Sequence, residues 1–587
     1  MEKLLTRWGR ALDADCPLND YPRPQMKRDS FLCLNGRWDY AILPSHVELR
    51  DYQGEIVVPF SPETILSGVE RTVEPTDVLY YRRRFEFHKS NDRQLLHFGA
   101  VDYKCEVCLN GQKVGSHVGG YLPFTLDVTD AIRDGENELT LRVTDPSETG
   151  SQASGKQTSK RGQIWYSRTS GIWQTVWLEE VPEKHVESLR LTPDIDENTL
   201  TVEVKATGTG NAKVMATKDG AILAKGVTEN GRVVLRLTDY ELWSPENPYL
   251  YDLNVEYGDD VVTSYFGMRK FSVGKDDKGV SRLMLNNRPY FHNGLLDQGY
   301  WSDGMYTAAS DEALIYDIQT MKDMGFNMLR KHIKIEPLRW YYHCDRLGML
   351  VWQDMVNGGG EVNQLTAAIL PGLGLGTCTR AGNISDGEKN YKLFSRADRF
   401  GREEYYRDAA GMIDLLYNTV SLALWVPFNE GWGQFDSVKA FEFFREKDPT
   451  RSIDHASGWH DQGVGDLNSF HIYFTPFVFP KHHKGDDRVV ALTEFGGYSM
   501  QTKGHVFNTQ KFFGYRKYSD PEKLWRAVRH LYLDRIKPLI AEKGLSALVY
   551  TEVSDVEDET NGLLTFDREV VKISVERLRE MNRQIGF

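Results

Sequence analysis

The chain has 587 residues, a net charge of −13 and 12% aromatic side chains, and at about 150 residues per domain it holds roughly four domains, or two to three if one is large. The acid excess excludes the clustered basic surface of a nucleic-acid binder. Hydrophobic residues at 40% and charged residues at 26% exclude wholesale disorder.

Residues 1–181 read as all-β. Short apolar runs at 79–87, 94–98 and 139–143 are separated by Asn, Asp and Gly. Asn110-Gly111, flanked by alternating residues, is a hairpin signal. A sandwich or jelly roll fits this spacing. Residues 182–274 form a second, smaller β unit, with runs at 200–206, 213–216, 231–237 and 249–257 that suit an immunoglobulin-like sandwich. From residue 275 to 587, short apolar strands alternate with helical stretches. Eight strands are expected at 290–295, 327–332, 349–354, 420–429, 452–457, 469–473, 489–494 and 547–551, with an amphipathic helix at 311–324 after the first. Eight such units make a (β/α)8 TIM barrel the economical reading.

Six cysteines are too few for a disulfide scaffold. Cys105 and Cys108 form a lone CxxC in a strand-like run, where residues three apart face opposite ways, and no second pair completes a zinc site. The N-terminal residues lack the apolar core of a signal peptide. No apolar run approaches the roughly 20 residues of a membrane span, so the cytoplasm is the expected compartment.

Chemistry in such barrels sits at the C-terminal ends of the strands. The fourth strand stops at Asn429-Glu430-Gly431-Trp432 and the seventh at Glu494-Phe495-Gly496-Gly497. Two carboxylates, each ending a buried strand on one face of one barrel, are placed to flank a substrate, as glycoside hydrolysis requires. Tyr473 ends the sixth strand, where its hydroxyl can hold a carboxylate ionised. Arg330 and His332 end the second, with Arg330 placed to set positive charge near Glu494. Asp297 and Gln298 after the first strand, and Glu552 after the eighth, are candidates for gripping sugar hydroxyls. His455, Trp459 and His471 surround the fifth and sixth strands.

Residues 424–430, Leu-Trp-Val-Pro-Phe-Asn-Glu, resemble the acid/base signature of glycoside hydrolase family 2. Asp345-Arg346-Leu347-Gly348 and the strand of Arg330 and His332 also match that family's barrel. Residues 80–85, 107–111 and 171–179 are similar to its N-terminal sugar-binding-type jelly roll, and Phe266-Gly267-Met268-Arg269 to its junction between sandwich and barrel. The resemblance covers nearly the whole chain, in the family's domain order. It implies a retaining exo-β-glycosidase without an organic cofactor: Glu430 the acid/base, Glu494 the nucleophile, Asn429 a ligand of the sugar 2-hydroxyl, and Tyr473 the group that orients the nucleophile. Glu430 should have a raised pKa because Glu494 is a nearby like charge.

Two departures bear on substrate. Where the family's β-galactosidases carry Glu and His metal ligands after the third strand, residues 353–360 read Gln-Asp-Met-Val-Asn-Gly-Gly-Gly, so no divalent metal is expected. Where its β-glucuronidases carry an Asn-x-Lys element past the eighth strand, residues 557–562 read Glu-Asp-Glu-Thr-Asn-Gly. That acidic cluster should repel an anionic sugar, which leaves a neutral sugar, foremost a β-galactoside, as the expected substrate. A β-glucuronidase, β-mannosidase or arabinosidase, or a non-catalytic carbohydrate-binding protein, are the alternatives. An oligosaccharide or glycoside is thus the expected partner, without nucleic acid or membrane, and a homo-oligomer is left open. Gly372-Leu373-Gly374-Leu375-Gly376 follows no strand directly and reads as an active-site loop within the insertion 358–392, not a phosphate loop. His482-His483 lacks metal-ligand spacing. The polar loop 155–162 either stays on the jelly-roll surface or reaches the barrel to shape the leaving-group site.

Overall fold

The structure is a computed structural model and describes residues 3–376, 382–473 and 486–587; His482 and His483 lie outside them. The first unit is a jelly roll. Its six-stranded sheet runs in the order Gly54–Val58, Gly36–Pro44, Asp77–Phe87, Gly135–Thr144, Lys104–Leu109, Gln112–Val118, and a four-stranded sheet holds Leu32–Cys33, Val176–Val181, Arg93–Phe98 and Phe124–Asp127. Alternation along the strands sends Trp38, Tyr81, Leu96, Phe98 and Leu141 into one core. Asn110 and Gly111, with φ of 53° and 78°, join two of these strands in a left-handed two-residue turn. On the strand before that turn Cys105 is buried and Cys108 only half-buried, so the two face opposite ways.

The second unit sets Val186–Asp194, Thr199–Ala206 and Arg232–Arg236 against a four-stranded sheet of Ala221–Val227, Lys213–Lys218, Tyr251–Tyr257 and Asp260–Phe266. Leu191, Val202, Val214 and Leu253 fill the space between them, giving an immunoglobulin-like sandwich.

The third unit contains eight parallel strands: β1 (His292–Asp297), β2 (Met328–Lys331), β3 (Leu350–Asp354), β4 (Leu422–Val426), β5 (Ser452–Ile453), β6 (Leu467–Ile472), β7 (Val489–Gly496) and β8 (Leu545–Thr551). β1 pairs with both β2 and β8, and this cyclic order is that of a TIM barrel rather than an open sheet. Both faces of each strand are buried, which is why the strands read as continuous apolar runs. Leu295, Leu329 and Val351 pack toward the helices, while Leu296, Met328, Leu350 and Trp352 belong to a second cluster on the opposite face. The helix after β1 spans Asp311–Asp323. Among the described residues no helix is long and apolar enough to cross a membrane.

Candidate active site

β4 ends at Val426, and the chain turns sharply at Glu430, whose φ is 51°. The Glu430 amide donates to the Ser457 carbonyl at 3.0 Å, which ties this turn to the end of β5 and aims the side chain over the barrel mouth. Glu494 projects from β7. One carboxylate oxygen of Glu430, one of Glu494 and a ring nitrogen of His471 all lie within 4.8 Å of one another, and all three side chains are buried.

Arg330 organises the floor of this pair. It is fully buried on β2 and donates to Asp354 Oδ1 at 2.8 Å, Asn429 Oδ1 at 2.8 Å, the Thr493 carbonyl at 3.0 Å and Glu494 Oε1 at 3.3 Å. A guanidinium has only donors, so it holds the Asn429 oxygen and leaves that residue's Nδ2 aimed elsewhere; Nδ2 is buried without a partner among the described residues. Asp354 spends its second oxygen on His332 Nδ1 at 2.7 Å. Tyr473 donates to Glu494 Oε2 at 2.7 Å, and its ring stacks on Tyr515 at 3.7 Å.

Burial pushes the Glu430 carboxyl up to about 8, against the lowering pull of Lys156 and Arg330 and with a smaller raising push from Glu559. The expected cause, the charge of Glu494, is not the leading one: desolvation is. Glu494 is also raised, first by burial and then by Glu430, while His471, Arg330 and the Tyr473 hydrogen bond hold it down. Burial lowers His471 to about 4, so the imidazole is neutral. Its tautomer follows from its neighbours. The Thr493 hydroxyl donates to the Phe470 carbonyl and the Ser457 hydroxyl donates to Thr493, so Ser457 accepts from His471 Nε2 at 3.2 Å. Nδ1 is then the acceptor that faces Glu430 Oε1 at 2.8 Å, where it accepts a hydrogen bond from the neutral carboxyl.

The jelly roll completes the site. Ala153 bridges to Gly358, and the amides of Ser154 and Gly155 donate to the Asn357 carbonyl at 3.0 and 3.1 Å. Gly358 is required there, because a Cβ would collide with the Gln152 carbonyl. The polar loop therefore reaches the barrel. The Glu557–Glu559 carboxylates, expected to face the sugar, are instead engaged by this segment: Ser167 N donates to Glu557 at 3.0 Å, Arg161 pairs with Asp558 at 3.2 Å, and the Tyr166 hydroxyl donates to Glu559. Trp165 packs on Trp432 with ring centroids 5.1 Å apart. Trp432, Ile333 and Ala367 form an apolar collar with Ile164, Trp165, Val362 and Trp459, to which the insertion after β3 thus contributes. Within that insertion the Gly376 carbonyl accepts from the His460 amide at 2.8 Å.

The remaining sequence candidates divide. Trp459 lies 6.2 Å from the His471 ring and belongs to the collar. Glu552 is buried, accepts from Gln298 at 2.8 Å and keeps Oε1 without a partner among the described residues. Asp297 is committed to Lys331 at 2.8 Å and to the Gly299 amide, and Lys331 also pairs with Glu336; this pair fills space beside the site rather than facing the carboxylates. His455 turns to Asp461 at 3.3 Å. The stretch after β3 supplies one carboxylate, Asp354, whose two oxygens are already taken, and Met355 and Val356 are buried in the core; these residues do not fit a divalent cation. Sequence reasoning reached Lys156 only as part of the polar loop 155–162, and missed Asp354, Trp165 and Tyr166 as parts of the site. Asp354 ends a barrel strand, so the rule that found Glu494 also reaches it; Trp165 and Tyr166 carry no local signal.

The family model "Glycosyl hydrolases family 2, sugar binding domain" matches residues 24–182, "Glycosyl hydrolases family 2" matches 184–269, and "Glycosyl hydrolases family 2, TIM barrel domain" matches 278–579. The chain belongs to glycosyl hydrolases family 2. Among family 2 proteins it is 31% identical over 303 residues to a putative beta-glucuronidase of Formosa agariphila, covering 47% of this chain and 34% of that protein. It is 24% identical over 450 residues to a beta-galactosidase of Halalkalibacterium halodurans, covering 72% and 41%. The chain thus aligns with less than half the length of these curated relatives. In fold it is similar to the beta-glucuronidase of an uncultured Clostridium sp., with a TM-score of 0.74 at 18% identity over 96% of this chain and 99% of that one. It is similar also to a beta-galacturonidase from Eisenbergiella tayi, with a TM-score of 0.69 at 18% identity over 96% and 99%.

Proposed function

We propose that this family 2 chain is a retaining exo-β-glycosidase that removes a terminal β-linked sugar by double displacement. The observation that carries the reading is the approach of Glu430 and Glu494 oxygens to within 4.8 Å, close to the spacing of about 5–5.5 Å that double displacement uses and well short of the 6.5–9.5 Å that admits a water between. Glu430, neutral at pH 7, donates its proton to the glycosidic oxygen as Glu494 attacks the anomeric carbon; the C–O bond breaks and the aglycone leaves as its alcohol. Glu430, now a carboxylate, takes a proton from water, whose oxygen displaces Glu494 and frees the sugar. Asn429 Nδ2 has its orientation fixed by Arg330 and donates to the sugar 2-hydroxyl, while Tyr473 and Arg330 hold the Glu494 oxygens. Every step uses side chains of this chain alone.

For the sugar, the absent Asn-x-Lys element supports a neutral β-galactoside, and the names of the relatives divide between beta-galactosidase, beta-glucuronidase and beta-galacturonidase. One observation favours an acidic sugar: a lysine of the jelly-roll loop lies beside Glu430. The test of the mechanism is proton NMR of the first-formed product on whichever aryl β-glycoside is turned over. A β-anomer that mutarotates later is expected; an initial α-anomer sinks double displacement.

A further inference from the structure

Four lysines are buried among the described residues, and three have conventional partners. Lys331 pairs with Asp297 and Glu336, Lys334 with Glu336, and Lys572 with Asp555. Lys156 is the exception. Its relative exposure is 5%, yet among the described residues no carboxylate lies within ion-pair distance of its ammonium and no acceptor within hydrogen-bond distance; its contacts are the faces of Tyr166 at 5.5 Å and Trp432 at 5.6 Å. The backbone around it is pinned, since the Ser154 and Gly155 amides bind Asn357 and Tyr166 N donates to the Lys156 carbonyl at 3.0 Å. The side chain is therefore delivered to this place by a fixed loop. Its charge bears on Glu430, His332 and Glu552, which places it over the barrel mouth next to the acid/base. An ammonium held in a fixed place without an ion-pair partner is ready to receive one, and a substrate group that carries negative charge completes a charge-assisted pair on binding.

We propose that Lys156 is the receptor for a carboxylate carried by the substrate, so that the first domain, not the barrel, selects acidic glycosides. Tyr166 and Trp432 flank the ammonium and fix its direction, so that an ion pair formed there has a set geometry. The Glu557–Glu559 stretch does not compete, because Ser167, Arg161 and Tyr166 already engage it. This inference rests on the glycosidase reading only where turnover is the readout.

The test has a binding arm and a turnover arm, each run on the wild type, Lys156→Gln and Lys156→Arg, with melting temperatures to show that each variant folds. In calorimetry, D-glucuronate and D-galacturonate should bind the wild type at least about tenfold tighter than D-glucose and D-galactose, a preference that Lys156→Gln removes and Lys156→Arg largely keeps. In turnover, the ratio of kcat/KM for 4-nitrophenyl β-glucuronide or β-galacturonide to that for the matching neutral glycoside should fall on the order of 10²-fold in Lys156→Gln. A 4-carboxyphenyl β-galactoside places the acid on the aglycone instead, and the substrate whose ratio falls tells which part of the glycoside bears the recognised group. A purely structural or electrostatic role for Lys156 lowers all substrates together and leaves every ratio unchanged, which overturns the proposal. So does a wild type that prefers neutral glycosides, although the glycosidase reading then stands. Acid binding through Lys156 with no turnover of any glycoside sinks the glycosidase reading and leaves the receptor.

Discussion

In the proposed mechanism, raising the pH removes the proton that Glu430 would donate, and the burial of that carboxyl sets where this happens. Its pKa moves from 4.5 to about 8, so between those values the native protein holds a proton that the unfolded chain has lost. The sign follows from linkage: the folded pKa is raised, so stability falls as pH rises through the window and the deficit is complete above pH 8. From 4.5 to about 8 at about 1.36 kcal/mol per pH unit, the deficit reaches about 5 kcal/mol above pH 8 and vanishes below pH 4.5. The kinetic counterpart is a basic limb in kcat/KM near pH 8, with about a tenth of the plateau left at pH 9. Glu430→Gln should abolish both. Its residual kcat/KM on an activated aryl glycoside has no limb near pH 8, and it melts above the wild type at pH 9 but level with it at pH 4. The measurements are pH–rate profiles on aryl glycosides with good and poor leaving groups, and thermal melts across the same range. A basic limb that persists in Glu430→Gln, or a wild-type basic limb that falls below pH 6, refutes the assignment of the acid and of burial as the cause of its shift.

Glu494→Gln should lower kcat on the order of 10⁴-fold or more while the protein melts normally, as loss of a nucleophile does; wild-type turnover in that variant rejects the nucleophile. Arg330→Met strands Asp354 and Glu494 as buried charges, at a cost of about 3–5 kcal/mol in denaturant unfolding. Because Arg330 holds Glu494 down, its loss should also move the acidic limb of the rate profile to higher pH; an unmoved limb means that Arg330 does not act on the nucleophile. Asn429→Ala should slow the parent glycoside far more than its 2-deoxy analogue, and equal losses on both separate Asn429 from the 2-hydroxyl.

Much of the barrel is legible from residue chemistry, and its misfits have local causes. The fourth strand, expected at 420–429, stops at Val426 because Pro427 has no amide to continue the ladder. The fifth, expected at 452–457, shortens to Ser452–Ile453, after which Asp454 turns its amide to the Trp425 carbonyl and Ser457 serves the Glu430 turn. Glu430 and Glu494 stand out in sequence because each follows an apolar run and has a glycine within the next two residues. The cause of the Glu430 shift does not, since burial belongs to the assembled pocket. Tyr166 and Glu559 meet although 393 positions separate them, and nothing in the run from 155 to 167 marks which side chains turn inward.

The anchoring of residues 153–167 on the barrel ties together the unfolding of two domains. A barrel without its jelly roll would leave Glu557, Asp558 and Glu559 without the donors Ser167, Arg161 and Tyr166, with Asn508 and Asn561 as the barrel's own donors to the last two. Chemical denaturation should therefore show the first and third domains melting in one transition rather than two. Exchanging the jelly roll between relatives, even with every barrel residue kept, would then change the stability of the catalytic domain as well as its specificity.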